Sequence, residues 1–263
     1  MTGRAPKPTT VFFDLDDTLF DHALTCRAAL GELRRDEPGF RRLPLDRLWR
    51  EYQAELHRTD QTLGYVGAPR EAYDAARAER FRRLAERAGW TATEEEGWRL
   101  SRAYRRAYLR RRRPVPGAVP LVRWLARSHP VGVITNNQVA EQERKLRFLG
   151  IRGEIDPLVV SEAVGAEKPD RSIFETALRA ARVRPRDAVM VGDSWANDVL
   201  GARSAGIRPV WFNRFGASRP ARPAVDEIGS YRPLAGVARA VLRSGARRRT
   251  RPRGGATRVI SKP

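Results

Sequence analysis

Apolar and polar positions change rhythm twice along the chain. Near the start, Val11-Phe12-Phe13 is an unbroken apolar run that ends in Asp14-Leu15-Asp16-Asp17-Thr18. A run so short and so apolar predicts a strand over about residues 10–14, buried on both faces. From 21 to 113 the chain becomes rich in Ala, Arg, Glu and Leu, with few β-branched residues. Apolar side chains there recur at helical spacing, as in Leu45, Leu48, Trp49, Tyr52 and Leu56. Pro69 suits the first turn of a helix running to about Ala88, which Gly89 stops, and a further helix is predicted over 94–112.

Pro114-Val115-Pro116-Gly117 breaks that block, and strict alternation of helix and strand follows. Helices are predicted over 117–128, 138–149, 171–181, 196–205 and 233–243. Between them lie the apolar strands 131–135, 158–161, 188–192 and 209–212. Short apolar strands separated by helices predict an α/β fold with a doubly wound parallel sheet of Rossmann-like type. The expected organisation is a lead-in over 1–8, a core from 9–20 and 114–243, an all-helical insertion over 21–113 and a basic, disordered tail over 244–263. An insertion leaving from the end of the first strand is placed to roof a site at the strand ends.

Composition narrows the classes. The chain has 263 residues, of which 41% are hydrophobic, enough for a sizeable core. No apolar run approaches the ~20 residues of a membrane span. Residues 1–10 lack the apolar stretch of a secretory signal. Cys26 is the single cysteine, which rules out an internal disulfide and fits a reducing, cytoplasmic setting. The net charge of +20 invites a nucleic-acid reading. However, eight of the basic residues fall within 243–263 and seven arginines within 102–113. Of the 51 basic residues 47 are Arg and only Lys7, Lys145, Lys168 and Lys262 are Lys, so the excess looks pervasive rather than aimed at one partner. Contact of the Arg-rich tail with nucleic acid stays as a lesser alternative.

The polar signatures carry the chemistry. The first strand ends in Asp14 and Asp16, the second in Thr135-Asn136-Asn137, and the fourth in Gly192-Asp193-Ser194 with Asp198 five residues beyond Asp193. Lys168-Pro169-Asp170 precedes the helix from 171. In a doubly wound sheet these groups converge on the carboxyl edge. A hydroxyl, an ammonium and several carboxylates around a hard cation suit phosphoryl transfer, which needs positioning and charge neutralisation. A lysine at 168, in a chain that chooses Arg almost everywhere, points to a demand for a compact point charge.

These four signatures, in this order, resemble the four motifs of the haloacid dehalogenase superfamily. The resemblance covers about 9–20 and 114–243, with 21–113 similar to the helical cap inserted after the first motif. Ile134-Thr-Asn-Asn137 and Val160-Ser-Glu-Ala-Val-Gly-Ala-Glu-Lys-Pro169 are most similar to the small phosphatases that include a pyrimidine nucleotidase and N-acylneuraminate-9-phosphatase. The resemblance implies a Mg2+-dependent phosphatase acting on a small phosphorylated metabolite, a nucleoside monophosphate or sugar phosphate. It implies Asp14 as nucleophile and Asp16 as general acid, then base. Thr135 and the Asn136 amide would hold phosphoryl oxygens, and Lys168 would neutralise their charge. Mg2+ would lie between the Asp14 carboxylate, the Asp16 carbonyl and Asp193, with Asp198 in support.

Asp16 also separates reaction classes, because an alkoxide leaving group needs a proton and a halide does not. That favours a phosphatase over a 2-haloacid dehalogenase, the alternative within the same fold. The remaining signals take structural assignments: Asp17 a solvated turn residue, Asp170 a helix cap, His22 a structural or solvated residue, Cys26 a buried small apolar residue, Trp195 a core-edge aromatic, and Arg110–Arg113 a solvated helix end. The substrate and the oligomeric state are not encoded in any motif.

Overall fold

The computed structural model describes residues 9–64 and 66–243. The expectations for 1–8 and 244–263 lie outside the described residues. A six-stranded, wholly parallel sheet forms the centre, in the order β3-β2-β1-β4-β5-β6. Its strands are β1 (Thr10–Phe13), β2 (Val131–Thr135), β3 (Leu158–Val160), β4 (Ala188–Gly192), β5 (Arg208–Phe212) and β6 (Asp226–Ile228). β1, β2 and β4 are buried along their whole length, as their unbroken apolar sequences require of central strands. The chain winds outward from β1 to β3 on one side and from β4 to β6 on the other. β1 thus sits where the winding reverses, with its carboxyl end opening into the crevice between β2 and β4.

Side chains alternate through the sheet into two cores. Val11, Phe13, Val133, Val189 and Val191 face one core, closed by α6 (Ala118–Ala126), α7 (Val139–Leu149) and α11 (Leu234–Leu242). Phe12, Ile134 and Met190 face the other, closed by α9 (Arg171–Ala180) and α10 (Gly201–Ser204). Burial of each such side chain contributes about 1.5–3 kcal/mol.

The block after β1 is helical, as its periodicity predicts: α1 (His22–Asp36), α2 (Pro38–Arg41), α3 (Leu45–Leu63), α4 (Arg70–Arg87) and α5 (Glu94–Arg111). α5 starts with a reciprocal cap between Thr93 and Glu96 and has three glutamates in its first turn, where they complement the helix dipole. Its arginines at the other end are not free: Arg110 and Arg111 both pair with Glu32 of α1, at 3.0 Å for Arg110. The expectation of a solvated helix end is therefore corrected for these two residues. No helix among the described residues is long and apolar enough to cross a membrane.

Three local expectations differ from the structure. Ser161 does not extend β3 but opens a one-turn helix, α8 (Ser161–Val164). The predicted helix over 196–205 is instead a π turn, Trp195–Leu200, followed by the short α10. In the wider turn the Val199 N–H reaches back to the Ser194 carbonyl at 3.2 Å, while the Asp198 side chain accepts from the Ser194 N–H at 2.9 Å. β6 has no apolar run to announce it: it is Asp226-Glu227-Ile228, and none of the three is fully buried.

Candidate active site

Asp14 follows β1 directly, and its N–H donates to the Val191 carbonyl of β4 at 2.9 Å. That bond carries the strand alignment one residue further and fixes the carboxylate at the sheet edge. Lys168, ahead of α9, reaches the same edge. Its Nζ donates to an oxygen of Asp14 at 2.6 Å and to one of Asp198 at 2.6 Å. All three side chains are buried. Asp198 can lie there because β4 ends in glycine: a Cβ on Gly192 would stand 2.3 Å from the Asp198 carboxyl carbon. Asp193 completes the group, and one oxygen each from Asp14, Asp193 and Asp198 lie within 4.8 Å of one another.

Three carboxylates around one ammonium leave an excess of buried negative charge. Burial pushes the Asp14 carboxyl up to about 7, against the pull of Lys168. Burial and then the charges of Asp14 and Asp198 push Asp193 up to about 8. Burial opposes a charged Lys168, yet Asp14 and Asp198 raise it above the ordinary lysine value. Hard carboxylate oxygens short of positive charge are a donor set that fits Mg2+. Both oxygens of Asp198 are already engaged, one by Lys168 and one by the Ser194 N–H. Asp198 is thereby better fitted to positioning Lys168 than to direct ligation, leaving Asp14 and Asp193 as the candidate side-chain ligands. Thr18 holds Asp193 from below, exchanging hydrogen bonds of 3.2 and 3.1 Å with its carboxylate and backbone N–H.

Thr135 and Asn136 sit at the end of β2. The Thr135 hydroxyl accepts from Gln142 Nε2 at 2.6 Å, which leaves its own proton to be donated elsewhere. The Asn136 side chain clasps the backbone of Lys168, donating to its carbonyl at 2.9 Å and accepting from its N–H at 2.8 Å. Asn136 is thus a clamp that seats Lys168, and only its backbone N–H is left to meet a phosphoryl oxygen.

Asp16 differs most from expectation. Lys145 of α7 donates to both of its carboxylate oxygens at 2.7 Å, and Gln142 adds a bond of 3.2 Å. Burial alone would raise this carboxyl, but Lys145, with His22 nearby, holds it down at about 2. A general acid needs a proton, whereas Lys145 biases Asp16 toward its ionised form, so the two groups share that proton. Lys145 escaped the sequence reading because it lies within an amphipathic helix. The scarcity of lysine that singled out Lys168 would have singled out Lys145 as well.

The unfolded carboxyl titrates near about 3.9, and the folded one near about 2. The folded state therefore binds this proton less tightly. The pair adds stability above the unfolded value and loses it as pH falls from about 4 through about 2. Lys145→Met should cost about 2 kcal/mol at pH 7 in urea unfolding and about half of that at pH 3. An equal cost at both values would contradict this account.

The minor assignments hold in most cases. Asp17 adopts a left-handed turn, φ 59°, and accepts from the Ala23 N–H at 2.9 Å. Asp170 caps α9 through the Ser172 N–H at 2.8 Å, and Trp195 packs edge-on against Trp211. Cys26 is buried, 3.4 Å from His22 Nε2. His22 is closer to the chemistry than a structural or solvated residue, with Nδ1 3.9 Å from Asp16 and 3.0 Å from the Tyr108 hydroxyl.

Asp14, Asp16, Thr135, Asn136, Lys168, Asp193 and Asp198 all line one cavity of about 940 Å³ between the strand ends and the helical insertion. Arg105 of the insertion spans it to Glu141 of α7, at 2.6 and 2.8 Å.

Comparison with known proteins agrees with this geometry. Residues 8–206 match the family of haloacid dehalogenase-like hydrolases. The chain is 40% identical over 108 residues to pyrimidine 5'-nucleotidase YjjG of Escherichia coli, a stretch covering 41% of this chain and 48% of that protein. The match thus spans only about half of that relative's length. With phosphoserine phosphatase of Thermus thermophilus the identity is 34% over 247 residues, covering 85% of this chain and 96% of that one. The fold is shared with the putative hydrolase YfnB of Bacillus subtilis, solved bound to magnesium, at a TM-score of 0.69 and 23% identity over 89% of this chain and 99% of that one. The extent of the family match, with the acid and lysine set at one sheet edge, makes this chain a member of the haloacid dehalogenase-like hydrolases.

Proposed function

We propose that the chain hydrolyses a small phosphomonoester, a sugar phosphate or nucleoside monophosphate, with Asp14 as nucleophile and Mg2+ as cofactor. The observation that carries this reading is the buried Asp14–Lys168–Asp198 chain with a second carboxylate, Asp16, two residues after the first. The names of the relatives, a pyrimidine nucleotidase and a phosphoserine phosphatase, support the reaction class.

Asp14 must be ionised to attack, and Lys168 favours that form. Mg2+, held by Asp14, Asp193 and the Asp16 carbonyl, would neutralise phosphoryl charge as the bond forms. The Thr135 hydroxyl and the Asn136 N–H donate to equatorial oxygens. An Asp14 oxygen bonds to phosphorus, and the ester oxygen departs with the bonding pair. That oxygen takes a proton held jointly by Asp16 and Lys145. Water then attacks the phosphorus of the aspartyl-phosphate and gives its proton to Asp16, which frees Asp14 and phosphate. The insertion acts as a cap whose closure excludes bulk water.

The raised carboxyls give a test that does not depend on turnover. Folded Asp14 and Asp193 titrate near about 7 and about 8, well above the unfolded carboxyl. The folded state binds these protons more tightly, so stability falls as pH rises through that window. A cation that displaces the protons should raise Tm, and more at pH 8 than at pH 6. Asp193→Asn should remove most of the Mg2+-dependent shift; the same shift in both proteins would reject this metal site.

The activity itself is tested by phosphate release from a broad panel of phosphorylated metabolites with Mg2+, with and without EDTA. Release that EDTA abolishes supports the reading. Halide release from 2-haloacids without any phosphate release would favour the dehalogenase alternative.

A further inference from the structure

The wall of the cavity opposite Asp14 belongs to the helical insertion, and its charge is uneven. It carries Arg77, Arg80, Arg102 and Arg105, against the single carboxylate Asp74 among the described residues. Two of these arginines are already taken. Arg77 pairs with Asp74 at 3.0 Å, and Arg105 pairs with Glu141.

Arg80 is different. It is 8% exposed, and no other arginine among the described residues is buried so deeply. Its Nε donates to the Thr59 hydroxyl at 3.3 Å, and its guanidinium lies over the Tyr52 ring, 5.8 Å from the centroid. No carboxylate among the described residues pairs with it. Its neighbours on α4 behave otherwise: Arg82 and Arg83 bind Glu79, and Arg87 binds Glu55, although all three are more exposed. A buried charge is costly unless an opposite charge meets it. Two neutral side chains do not meet it, and the guanidinium still has N–H donors in fork geometry to offer.

We infer that Arg80 is the docking point for a second anionic group of the substrate, a carboxylate or a phosphate, remote from the phosphoryl that Asp14 attacks. The inference rests on the phosphomonoesterase reading for the identity of the first group. Arg102, which also lines the cavity and pairs with no carboxylate among the described residues, reinforces the attraction. Between Arg80 and the catalytic edge stands a row of rings. Tyr52 and Tyr104 are 5.3 Å apart, Tyr104 and Tyr108 are 6.2 Å apart, and the Tyr108 hydroxyl reaches His22. Within the phosphomonoesters proposed above, this narrows the substrate to one with a carbon spacer and an anionic far end, such as a phosphorylated sugar acid or a bisphosphate, over a nucleoside monophosphate whose tail is neutral.

The test is calorimetric binding to the Mg2+-loaded full chain carrying Asp14→Asn. The ligands are a chain-matched series of alkanediol monophosphates, phosphorylated hydroxy acids and alkanediol bisphosphates of increasing length. At the length that fits, an anionic tail should bind roughly 10- to 100-fold tighter than the neutral one. The member preferred, carboxylate or bisphosphate, identifies the second group. Arg80→Gln should collapse the preference, and Arg80→Lys should retain part of it. Equal affinity of neutral and anionic tails at every length would overturn the proposal even if Arg80→Gln fails to fold. A preference untouched by Arg80→Gln would also overturn it. The same ligands given to the native chain report phosphate release separately. Arg80-dependent binding without release would uphold the anion site while removing the phosphatase reading.

Discussion

Asp14→Asn is expected to lower kcat by roughly 10⁴-fold or more while leaving the protein at least as stable as its parent. The two halves of that expectation have one physical source. Asp198 shares both Lys168 and the group with Asp193, but its two oxygens are engaged, one by Lys168 and one by the Ser194 N–H, so it is not free to take over as nucleophile. Yet the edge already holds too much negative charge, as the upward push on Asp14 and Asp193 shows. Removing one charge relieves its neighbours, and Lys168 keeps Asp198 as partner. A dead enzyme with an unchanged or raised Tm marks a residue kept for chemistry. A dead enzyme that is also unstable would mark Asp14 as structural. The measurement pairs phosphate release with thermal unfolding at pH 7.5 to 8, where the relief is largest.

Lys168→Met should fail in the opposite manner, losing turnover and fold together. It leaves Asp14 and Asp198 facing each other in a buried site with Asp193 close by. Removing one partner from a buried ion pair costs about 3–5 kcal/mol. The remaining carboxyls can take up protons, so the cost should be smaller at pH 6 than at pH 8. Lys168→Arg should not restore activity, because a planar guanidinium does not fit where one ammonium nitrogen meets two carboxylates at 2.6 Å. Adding Asp198→Asn to Lys168→Met should recover part of the stability and none of the turnover. If Lys168→Met unfolds in urea at the same midpoint as the parent, the lysine does not balance the acid cluster.

The parallel sheet was legible from the sequence because its signal is local. Val11-Phe12-Phe13 and Val189-Met190-Val191 are apolar on both faces, and only a central strand needs that. The convergence of the polar residues on one edge was legible for a related reason: Asp14, Thr135 and Asp193 each follow an apolar run at once, and the topology brings such ends together. What local pattern could not supply was pairing across the fold. Lys145 is 129 residues from Asp16 and reads as one polar position of an amphipathic helix. The clasp of the Asn136 side chain on Lys168 spans 32 residues and adds a supporting role that no local pattern announces. The π turn at 195–200 holds Asp198 against Gly192, a matter of packing rather than propensity. Arg80 is one arginine among 47, and burial alone distinguishes it.

The central claim is that Asp14 itself receives the phosphoryl group. It is tested by mixing the native chain with a saturating substrate found in the phosphate-release panel, quenching in acid within the first turnover, and mapping phosphorylated peptides by mass spectrometry. The account predicts a phosphoryl group on the peptide containing Asp14, removable by hydroxylamine as an acyl-phosphate and absent from Asp14→Asn. Phosphate released in the same interval with Asp14 unmodified, or with the label on another residue, would contradict it.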